Sequence, residues 1–518
     1  MRELASSPFE AAVTLGGRRL GLHEVCAVAR GTSLTLDSSA AFRQRIRRGA
    51  EVLTECIAAG TPVYGVTTGY GDSCTVTVPP DVLQQLPVHL VRYHGCGLGA
   101  CFDEPTSIAI LVARLNSLAM GFSGVRFEVL TQLETMIQQR IAPRIPEEGS
   151  VGASGDLTPL SYVAAVMMGE REVLHRGKVG PAADALRAAG LAPLTLMPKE
   201  GLALMNGTAV MTALACLGWE RAEYLMRLAT RITSMVAIAL GSNPKHFASG
   251  LFAVKPHSGQ QQIAARIFAD MGATNQENPL RIQDRYSIRC APHVIGVLAD
   301  ALGWMQRDIE NELNSANDNP IVDPENGEIY HGGHFYGGHI AFVADSLKNA
   351  VANIADLLDR QLALLVDTRF NNGLPSNLSG ASEARASLNH GFKAVQIAVS
   401  AWTAEALKLT MPASVFSRST ECHNQDKVSM GTIAARDALR VLTLVEQVAA
   451  ACLAAATQAM EIRRRRGNRP PRHMPAAMLA MLDEVLGVCA YVEEDRPLDA
   501  ELRQLCAAIS ARRWTLYE

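Results

Sequence analysis

Apolar residues in the second half of the chain recur at the spacing of one face of an α-helix. In the clearest example the intervals are four, four, three, four and four residues, at Val294, Leu298, Leu302, Met305, Ile309 and Leu313. This spacing predicts a long amphipathic helix. The polar run over residues 314–319, followed by Pro320, predicts its end. Further helical patterns cover about residues 338–365, 387–411 and 431–463.

Helices of about 25 to 30 residues span roughly 40 Å and must bury their apolar faces along that length. We therefore predict an all-α fold built on a long antiparallel helical bundle, with helix faces shared between subunits. Gly and Pro are denser in the first half of the chain, over residues 61–80 and 145–159. The expected division is an N-terminal domain over 1–200, a central bundle over 201–465 and a small helical segment over 466–518.

Composition narrows the classes of function. The formal net charge of −3 gives no electrostatic case for nucleic acid or an anionic membrane. Residues 441–460 are the most apolar stretch, but Glu446, Gln447 and Gln458 interrupt it, which favours a buried bundle helix over a membrane span. The start of the chain has no signal-peptide pattern. The six arginines of residues 461–475 fit a solvated connector better than an anion-binding patch.

The cysteines and histidines carry no metal-ligand pattern. Eleven cysteines occur without a CxxC pair, which favours free thiols in a reducing compartment, the cytoplasm. The thirteen histidines show no HExxH arrangement. We therefore expect no bound metal.

Residues 152–156 read Gly-Ala-Ser-Gly-Asp, and this run can build an electrophile from the backbone. The Gly155 nitrogen can attack the Ala153 carbonyl carbon, because glycine has no Cβ to hinder it. Loss of two waters, one of them from the Ser154 hydroxyl, then gives a five-membered imidazolone with an exocyclic methylene group. The alternative interpretation of the run by itself is a Gly/Ser loop before a helix, with Asp156 near the N-cap.

Three further segments carry candidate chemistry. The loop over residues 64–71 contains three glycines and two tyrosines, a composition that suits a lid carrying a catalytic phenol, with a structural turn as the alternative. Asn206 precedes a glycine where a helix is expected to begin. Gln283, Tyr286 and Arg289 stand at three-residue steps, which predicts that they face the same way on one helical turn. An arginine there can clamp a carboxylate through two hydrogen bonds.

Taken together, six segments resemble motifs of the aromatic amino acid ammonia-lyase and aminomutase family, in the family's order and across about residues 55–465. They are YGVTTGYG (64–71), GASGDLTPLS (152–161), KEGLALMNGT (199–208), QDRYSIRC (283–290), ELNSANDNP (312–320) and HNQDKVSMG (423–431). The resemblance implies an all-helical homotetramer of the ammonia-lyase/fumarase-like type, whose active sites are each made from three subunits. It also implies a 4-methylideneimidazol-5-one group formed autocatalytically from Ala153, Ser154 and Gly155, with no metal or nucleotide.

The resemblance also implies roles for matching positions. The substrate amine adds to the methylene derived from Ser154, and Tyr64, whose pKa must be lowered, removes the β-proton. Arg289 holds the substrate carboxylate, while Tyr286 bonds near the amine or the ring. The residues expected to position the prosthetic group or the substrate are Asn206, Gln283, Gly71, Asn317, Phe335, Lys393, Glu421 and Asn424. Lys393 is also expected to pair with Glu421.

Selectivity for one amino acid is expected from Tyr93 and His94, because family members differ at this adjacent pair. Phenylalanine lyases usually show Phe-Leu there, many tyrosine lyases show His-Leu, and histidine lyases show Ser-His. A hydrogen-bonding His94 argues against phenylalanine. Histidine lyases also carry a glutamate where this chain has Gln425. The predicted reaction is elimination of ammonia from L-tyrosine to give trans-4-hydroxycinnamate (p-coumarate).

Alternatives stay open at this level. Tyrosine 2,3-aminomutases share every catalytic motif, and histidine or phenylalanine ammonia-lyase activity is also compatible with the family. Two positions depart from the family's commoner residues, since His334 and Tyr336 stand where Asn and His are more frequent. A non-catalytic helical assembly protein is a further alternative, and intact-protein mass discriminates it, because ring formation removes two waters, about 36 Da.

Overall fold

The structure is a computed structural model that describes residues 12–272, 282–467 and 474–517. The described chain is mostly helical. Its helices are α1 (Leu22–Ala29), α2 (Ala40–Ala58), α3 (Leu86–Tyr93), α4 (Glu104–Ala119), α5 (Phe127–Gln138), α6 (Leu157–Met167), α7 (Ala182–Ala188), α8 (Glu200–Met205), α9 (Ala209–Leu240), α10 (Ser249–Ala253), α11 (Ser258–Met271), α12 (Tyr286–Arg289), α13 (Ala291–Leu313), α14 (Gly338–Val366), α15 (Lys393–Lys408), α16 (Gly431–Arg465), α17 (Ala476–Val488) and α18 (Asp499–Ser510).

Short strands form small ribbons beside the helices. They are β1 (Val13–Leu15), β2 (Leu34–Leu36), β3 (Leu98–Cys101), β4 (Ala142–Pro143), β5 (Pro146–Glu148), β6 (Glu172–His175), β7 (Lys178–Pro181), β8 (Ile321–Val322) and β9 (Ile329–Tyr330). Strand β1 pairs with β2 in parallel, whereas the pairs β3–β5, β4–β6, β6–β7 and β8–β9 are antiparallel. The mostly helical fold class predicted from the sequence is confirmed; these ribbons were not predicted.

The long helices follow the predicted patterns closely, with one exception. Helices α13, α14 and α16 cover the stretches predicted from apolar spacing. Helix α15 begins at Lys393, six residues later than the predicted start near residue 387. Gly391 has a φ of 50°, outside the right-handed helical region, and the Phe392 amide donates to the Asn377 carbonyl at 2.8 Å. The chain therefore turns before the helix starts.

The chain forms two compact units, each assembled from separate stretches. Unit 1 comprises Met1–Gly218, Gln306–Asp345 and Pro412–Arg436, and unit 2 comprises Trp219–Met305, Ser346–Met411 and Asp437–Glu518. The predicted boundary after residue 200 falls inside unit 1, and the one after residue 465 falls inside unit 2. Each unit joins segments that are distant in sequence, and the predicted division into three domains stays a prediction.

Helix α4 lies in the core of unit 1. Its side chains are buried continuously from Ser107 to Ala119. The Asp103 side chain accepts a hydrogen bond from the Thr106 amide at 2.9 Å and so caps the N-terminus. A polar side chain on such a helix must find its partners inside the protein, and this condition applies to Arg114.

In unit 2, polar side chains link the long helices. Gln361 donates to Thr233 at 3.0 Å, and the Arg221 guanidinium binds the Glu446 carboxylate at 2.9 Å. Helix α16 is long and apolar enough to cross a membrane by composition, with a mean hydropathy of 1.6 over its most apolar window, but 72% of that window is buried within the protein. A helix in a globular core passes the same composition test.

The arginine-rich segment is engaged in local structure where it is described. Arg464 and Arg465 both bind the Glu461 carboxylate, Arg463 donates to the Asn372 carbonyl at 2.7 Å, and Arg466 donates to a neighbouring loop carbonyl. These contacts favour the interpretation of the segment as a connector at the end of a helix rather than as an anion-binding patch. Arg469 and Arg472 lie outside the described residues.

Candidate active site

The Ala153-Ser154-Gly155 segment has an unusual backbone. Ser154 has a φ of 51° and Gly155 a φ of 77°, so a non-glycine residue sits in the left-handed region beside a glycine. A Cβ at Gly155 would overlap the Gly207 carbonyl group. The absence of a side chain at Gly155 thus permits both the left-handed turn and close contact with the segment around Asn206.

Two donors converge on the Ser154 carbonyl oxygen. The Asn206 amide Nδ2 donates to it at 2.7 Å, and the Gly207 backbone nitrogen donates at 3.2 Å. In the closed imidazolone this carbonyl becomes the ring oxygen. The arrangement has the form of an oxyanion site, in which fixed donors stabilise negative charge on one oxygen.

Asp156 anchors the other side of the segment. Its carboxylate accepts hydrogen bonds from the Val210 and Met211 amides, both at 3.0 Å, at the N-terminus of α9. It also accepts hydrogen bonds from Ser150 and Thr432. Burial raises the pKa of Asp156 to about 6, while these hydrogen bonds act in the opposite direction. Asp156 therefore connects the segment to the first turns of α9 and α16, whereas the sequence analysis placed it only near an N-cap.

Tyr64, the predicted base, lines the same cavity as Ser154. Its phenol oxygen accepts a hydrogen bond from the Gly71 amide at 2.8 Å, and its own amide donates to His331 at 3.2 Å. Burial raises the pKa of Tyr64, as does the charge of Glu421, while the bond from Gly71 lowers it. The sequence analysis expected a lowered pKa for Tyr64. Within this chain the pKa of Tyr64 is raised instead, because burial outweighs the hydrogen bond from Gly71.

Glu421 holds the turn that carries Gly71. Its carboxylate oxygens accept hydrogen bonds from the Asp72 amide at 2.9 and 3.1 Å. Gly71 has a φ of 57°, and a Cβ there would overlap the Glu421 carboxylate. The pairing of Glu421 with Lys393 expected from the sequence stays a prediction.

A pH prediction follows from the charge of Glu421 beside Tyr64. Glu421→Gln is expected to move the rising limb of the kcat-against-pH profile to lower pH, because removing the negative charge removes one cause of the raised Tyr64 pKa. The glutamine keeps one acceptor for Asp72. Measuring kcat at saturating substrate from neutral to alkaline pH tests this expectation. A limb that stays in place would assign it to another group.

The Ser154 segment, Tyr64 and His94 open onto one cavity of about 930 Å³. The predicted residues that line it are Tyr64, Gly71, Tyr93, His94, Ser154, Asn206, Phe335, Glu421, Asn424 and Gln425. Further lining residues that the sequence did not indicate include Tyr70, Cys74, Leu157, Leu202 and Asn319. Sequence motifs spread over more than 350 positions therefore meet at one place in unit 1.

His94 lines the cavity, and one nitrogen of its ring has a defined hydrogen-bond partner. Its Nδ1 lies 3.0 Å from the Leu90 carbonyl oxygen. Because a carbonyl only accepts, Nδ1 carries the proton in this contact, and burial lowers the pKa of His94 so that the neutral ring is favoured. Its Nε2 is then an acceptor. The Tyr93 ring stacks beside His94 with centroids 4.4 Å apart.

Gln425 connects the cavity to the ring-forming serine. Its Nε2 donates to the Ser154 hydroxyl at 3.3 Å, and its Oε1 accepts a hydrogen bond from Thr420 at 3.0 Å. The neutral amide therefore presents a donor toward Ser154, at a position where a carboxylate would present negative charge.

The other predicted site residues lie elsewhere. Asn317 is buried and donates to Thr208 at 2.8 Å, and it is Asn319 that lines the cavity. Gln283, Tyr286, Arg289 and Lys393 belong to unit 2 and are not among the lining residues.

The prediction that Gln283, Tyr286 and Arg289 face the same way on one helical turn is wrong for Gln283. Helix α12 begins at Tyr286, because Arg285 is extended, so Gln283 is not on the same turn. The Arg289 guanidinium lies 4.6 Å from the centroid of the Tyr286 ring, as the three-residue spacing predicted for that pair. Tyr286 is 73% exposed. A tyrosine and an arginine are thus presented together at a surface of unit 2.

The described residues offer no metal-binding cluster. Within residues 12–272, 282–467 and 474–517, no group of three or more His, Cys, Asp or Glu side chains is arranged to hold a metal ion. The residues do fit a prosthetic group formed from the backbone. The fit rests on the left-handed Ser154-Gly155 turn, the two donors at the Ser154 oxygen, and the buried Asn206 Oδ1, which has no hydrogen-bond partner among the described residues.

Comparison with known proteins identifies the family of this chain. The family model for aromatic amino acid lyases matches residues 20–484. The chain belongs to this family. Its members act on aromatic amino acids, use the methylideneimidazolone group and are generally oligomeric. The protein is accordingly a carbon–nitrogen lyase of the ammonia-lyase type.

Individual relatives differ in substrate and reaction. A histidine ammonia-lyase from Geobacillus is 37% identical over 508 residues, covering 98% of each chain. The solved tyrosine aminomutase from Streptomyces globisporus is 33% identical with a TM-score of 0.88, covering 96% of this chain and 97% of that one. A phenylalanine aminomutase from Pantoea agglomerans is 30% identical with a TM-score of 0.89, covering 96% and 98%. Family membership therefore does not determine the substrate, which depends on the residues of the site.

Proposed function

We propose that this chain is a tyrosine ammonia-lyase, which eliminates ammonia from L-tyrosine to give trans-4-hydroxycinnamate. The observation that carries the proposal is the 3.0 Å contact of His94 Nδ1 with the Leu90 carbonyl, beside the cavity. With Nδ1–H donating to Leu90, the neutral ring offers Nε2 to the cavity as an acceptor. A phenol hydroxyl is a matching donor. Phenylalanine has no donor at this place and would leave the desolvated nitrogen unpaired, which is costly.

Gln425 argues against histidine as the preferred substrate. A substrate imidazole also carries an N–H donor, so His94 alone does not separate histidine from tyrosine. A carboxylate near Ser154 would favour a cationic imidazole, but Gln425 supplies a neutral amide whose oxygen already accepts from Thr420. The curated relatives named histidine ammonia-lyase are more than 30% identical, and we infer that this chain departs from them in substrate.

The prosthetic group in this proposal forms from Ala153, Ser154 and Gly155. Asn206 and Gly207 would hold its carbonyl oxygen, and Gln425 would lie beside the methylene end. When formed, the group supplies an electrophile that the twenty side chains lack, and it makes the substrate nitrogen a better leaving group. The tight Gly155–Gly207 contact and the Asp156 anchor keep the segment bent in the form that ring closure needs.

Tyr64 takes the β-proton of the substrate in this mechanism. A general base must reach the proton at hydrogen-bonding distance, and Tyr64 lines the same cavity as Ser154 and His94. The Gly71 amide stabilises the phenolate form through its bond to the phenol oxygen, and Glu421 holds that amide in place through Asp72. The turn that carries Gly71 and Asp72 therefore positions the base, and its hydrogen bond offsets part of the effect by which burial raises the pKa of Tyr64.

The substrate carboxylate requires a cation, and we propose that Arg289 supplies it from another subunit of a homotetramer. Tyr286 is exposed on unit 2, the half-buried Arg289 lies against its ring, and Gln283 precedes them. Helix α15 carries Lys393 and the 62% exposed Ile397, an apolar residue suited to a subunit contact. We also propose that the active sites are shared between subunits and that the protein is cytoplasmic. The proposed domains cover residues 1–200, 201–465 and 466–518.

A tyrosine 2,3-aminomutase is the second candidate function. It is favoured by the 33% identity and TM-score of 0.88 to the Streptomyces globisporus tyrosine aminomutase. A mutase would use the same residues but retain the product long enough to return ammonia to its β-carbon. The difference rests on how tightly the segment over residues 64–80 closes the cavity.

Incubation of the purified protein with tyrosine, phenylalanine or histidine tests the proposal. We expect the ultraviolet band of 4-hydroxycinnamate to grow with tyrosine, with much slower product formation from the other two. Urocanate from histidine as the main product would overturn the tyrosine assignment. β-Tyrosine, detected by chromatography, would replace the lyase with the mutase.

His94→Phe is expected to lower kcat/KM for tyrosine by about 10- to 100-fold and to raise the relative preference for phenylalanine. The acceptor nitrogen is lost, and the new ring matches an apolar substrate. His89→Phe is the matched control, because His89 lies on α3 but does not line the cavity. An unchanged tyrosine-to-phenylalanine ratio in His94→Phe would count against His94 as the selector.

A further inference from the structure

Arg114 is a fully buried charge directly behind the ring-forming segment. It lies on α4, and less than 2% of it is exposed. Among the described residues it is one of the largest side chains to be buried so completely. Its Nη1 donates to the Asn206 carbonyl at 2.8 Å and its Nη2 donates to the Ser117 hydroxyl at 2.9 Å. Both partners are neutral. Burial of the guanidinium lowers the pKa of Arg114, and the negative charges of Asp156 and Asp318 oppose that effect.

The Asn206 carbonyl and the Gly207 N–H belong to the same peptide group. Arg114 donates to the oxygen of that peptide group. The nitrogen of the same peptide group, which belongs to Gly207, donates to the Ser154 oxygen at 3.2 Å. Hydrogen bonds in such a chain polarise one another, and a charged donor at one end strengthens the bond at the other. The positive charge of Arg114 is thus transmitted through one peptide group to the oxyanion site.

The surrounding contacts hold this relay in one geometry. Gly207 has a φ of 137°, and a Cβ there would overlap both Asn317 Oδ1 and Arg114 Nη1. Ser117, which accepts from Arg114, donates in turn to Asn317 Oδ1 at 3.2 Å. The guanidinium is therefore fixed at both ends, with one N–H aimed at the peptide group that serves Ser154.

We propose that Arg114 is a positioning residue that polarises the Asn206–Gly207 peptide group and so strengthens the oxyanion site at the Ser154 carbonyl. The inference rests on the ring-forming part of the proposed function and is independent of the choice of substrate. When a nucleophile adds to the methylene carbon, a new bond forms there and the electron pair of the carbon–carbon double bond moves through the ring toward the Ser154 oxygen. Arg114 stabilises the charge that arrives at that oxygen.

Cyanide, a small nucleophile, serves as the probe, because its addition to the methylene needs no substrate binding or proton abstraction. Intact-protein mass first measures the loss of two waters in wild type, Arg114→Met, Arg114→Gln and Arg114→Lys. The rate of cyanide addition is then followed by mass in each protein that has formed the ring. We expect Arg114→Met to react about three- to tenfold more slowly than wild type and Arg114→Lys to stay within about twofold of it.

Arg114→Gln separates charge from hydrogen bonding, because its amide can still donate to the Asn206 carbonyl. We expect a slowing close to that of Arg114→Met, and the Gln variant decides the matter if the Met variant does not fold. Ser107→Ala is the matched control, since Ser107 is buried on the same helix α4 and its hydroxyl has no hydrogen-bond partner among the described residues. Its cyanide rate is expected within about twofold of wild type.

The outcomes distinguish this inference from the proposed function. A wild-type protein without the mass loss would overturn the ring-forming part of the proposed function. Ring-containing Arg114→Met or Arg114→Gln that reacts at the wild-type rate would overturn the role of Arg114. Equal slowing in Arg114→Lys would also overturn it, because the charge is retained there.

Discussion

Ser154→Ala is expected to abolish the loss of two waters and to lower kcat by at least about a thousandfold. Alanine has no β-leaving group, so the exocyclic methylene cannot form even where the backbone bends correctly. Intact-protein mass reports the missing dehydration, about 36 Da in the wild type, and product absorbance with tyrosine reports the rate. The left-handed Ser154-Gly155 turn and its contact with Gly207 do not depend on the hydroxyl, so the variant is expected to fold.

Ser154→Cys provides the control for this expectation. A thiol is also a β-leaving group, so loss of water and hydrogen sulfide, about 52 Da in total, would give the same methylene. We expect this variant to recover part of the activity. Full activity in Ser154→Ala, or an unshifted mass in the active wild type, would contradict the assignment of Ala153, Ser154 and Gly155 as the prosthetic group precursor.

Tyr64→Phe has the second largest expected effect, a fall in kcat of about a hundredfold to ten-thousandfold with unchanged ring formation. The phenol that accepts the β-proton is lost, whereas the Ser154 segment and its donors from Asn206 and Gly207 are untouched. Intact mass should therefore show the wild-type dehydration while product formation nearly stops. This separation of ring formation from turnover distinguishes a base from a residue that only supports the segment.

Tyr162→Phe is the matched control for Tyr64→Phe. Tyr162 also belongs to unit 1, and its phenol donates to the Gly97 carbonyl at 3.3 Å, but it does not line the cavity. We expect kcat within about twofold of wild type. A primary kinetic isotope effect on β-deuterated tyrosine adds a second readout, because proton abstraction becomes more rate-limiting in Tyr64→Phe. Wild-type kcat in that variant would remove Tyr64 from the reaction.

The fold was predictable where apolar spacing was long and regular. Helices α13, α14 and α16 follow patterns that repeat over many turns, so tertiary packing had little to override. The start of α15 was misplaced because a single glycine, Gly391, adopts a positive φ that no periodicity reveals. The two units were not predictable along the chain, because each joins segments separated by many residues.

The site was predictable where chemistry needs particular residue types in a fixed order. Ser154, Tyr64 and His94 were singled out as residues and lie on one cavity. Arg114 and Asp156 were not assigned their roles, because their partners come from distant segments. The signal for Arg114 was present as one charged residue inside the apolar run IAILVARLNSLA, but a lone arginine does not name its acceptor.

The sequence by itself determined the family, the mostly helical fold and the tripeptide from which an electrophile can form, because these depend on residue identity and local spacing. The tertiary structure decided what surrounds that tripeptide: Asn206 and Gly207 on the Ser154 oxygen, Arg114 on the Asn206 carbonyl, and His94 lining the same cavity with its Nδ1 on the Leu90 carbonyl. Hydrogen-bond direction, burial and charge at these positions depend on segments far apart in the chain, and only folding brings them together.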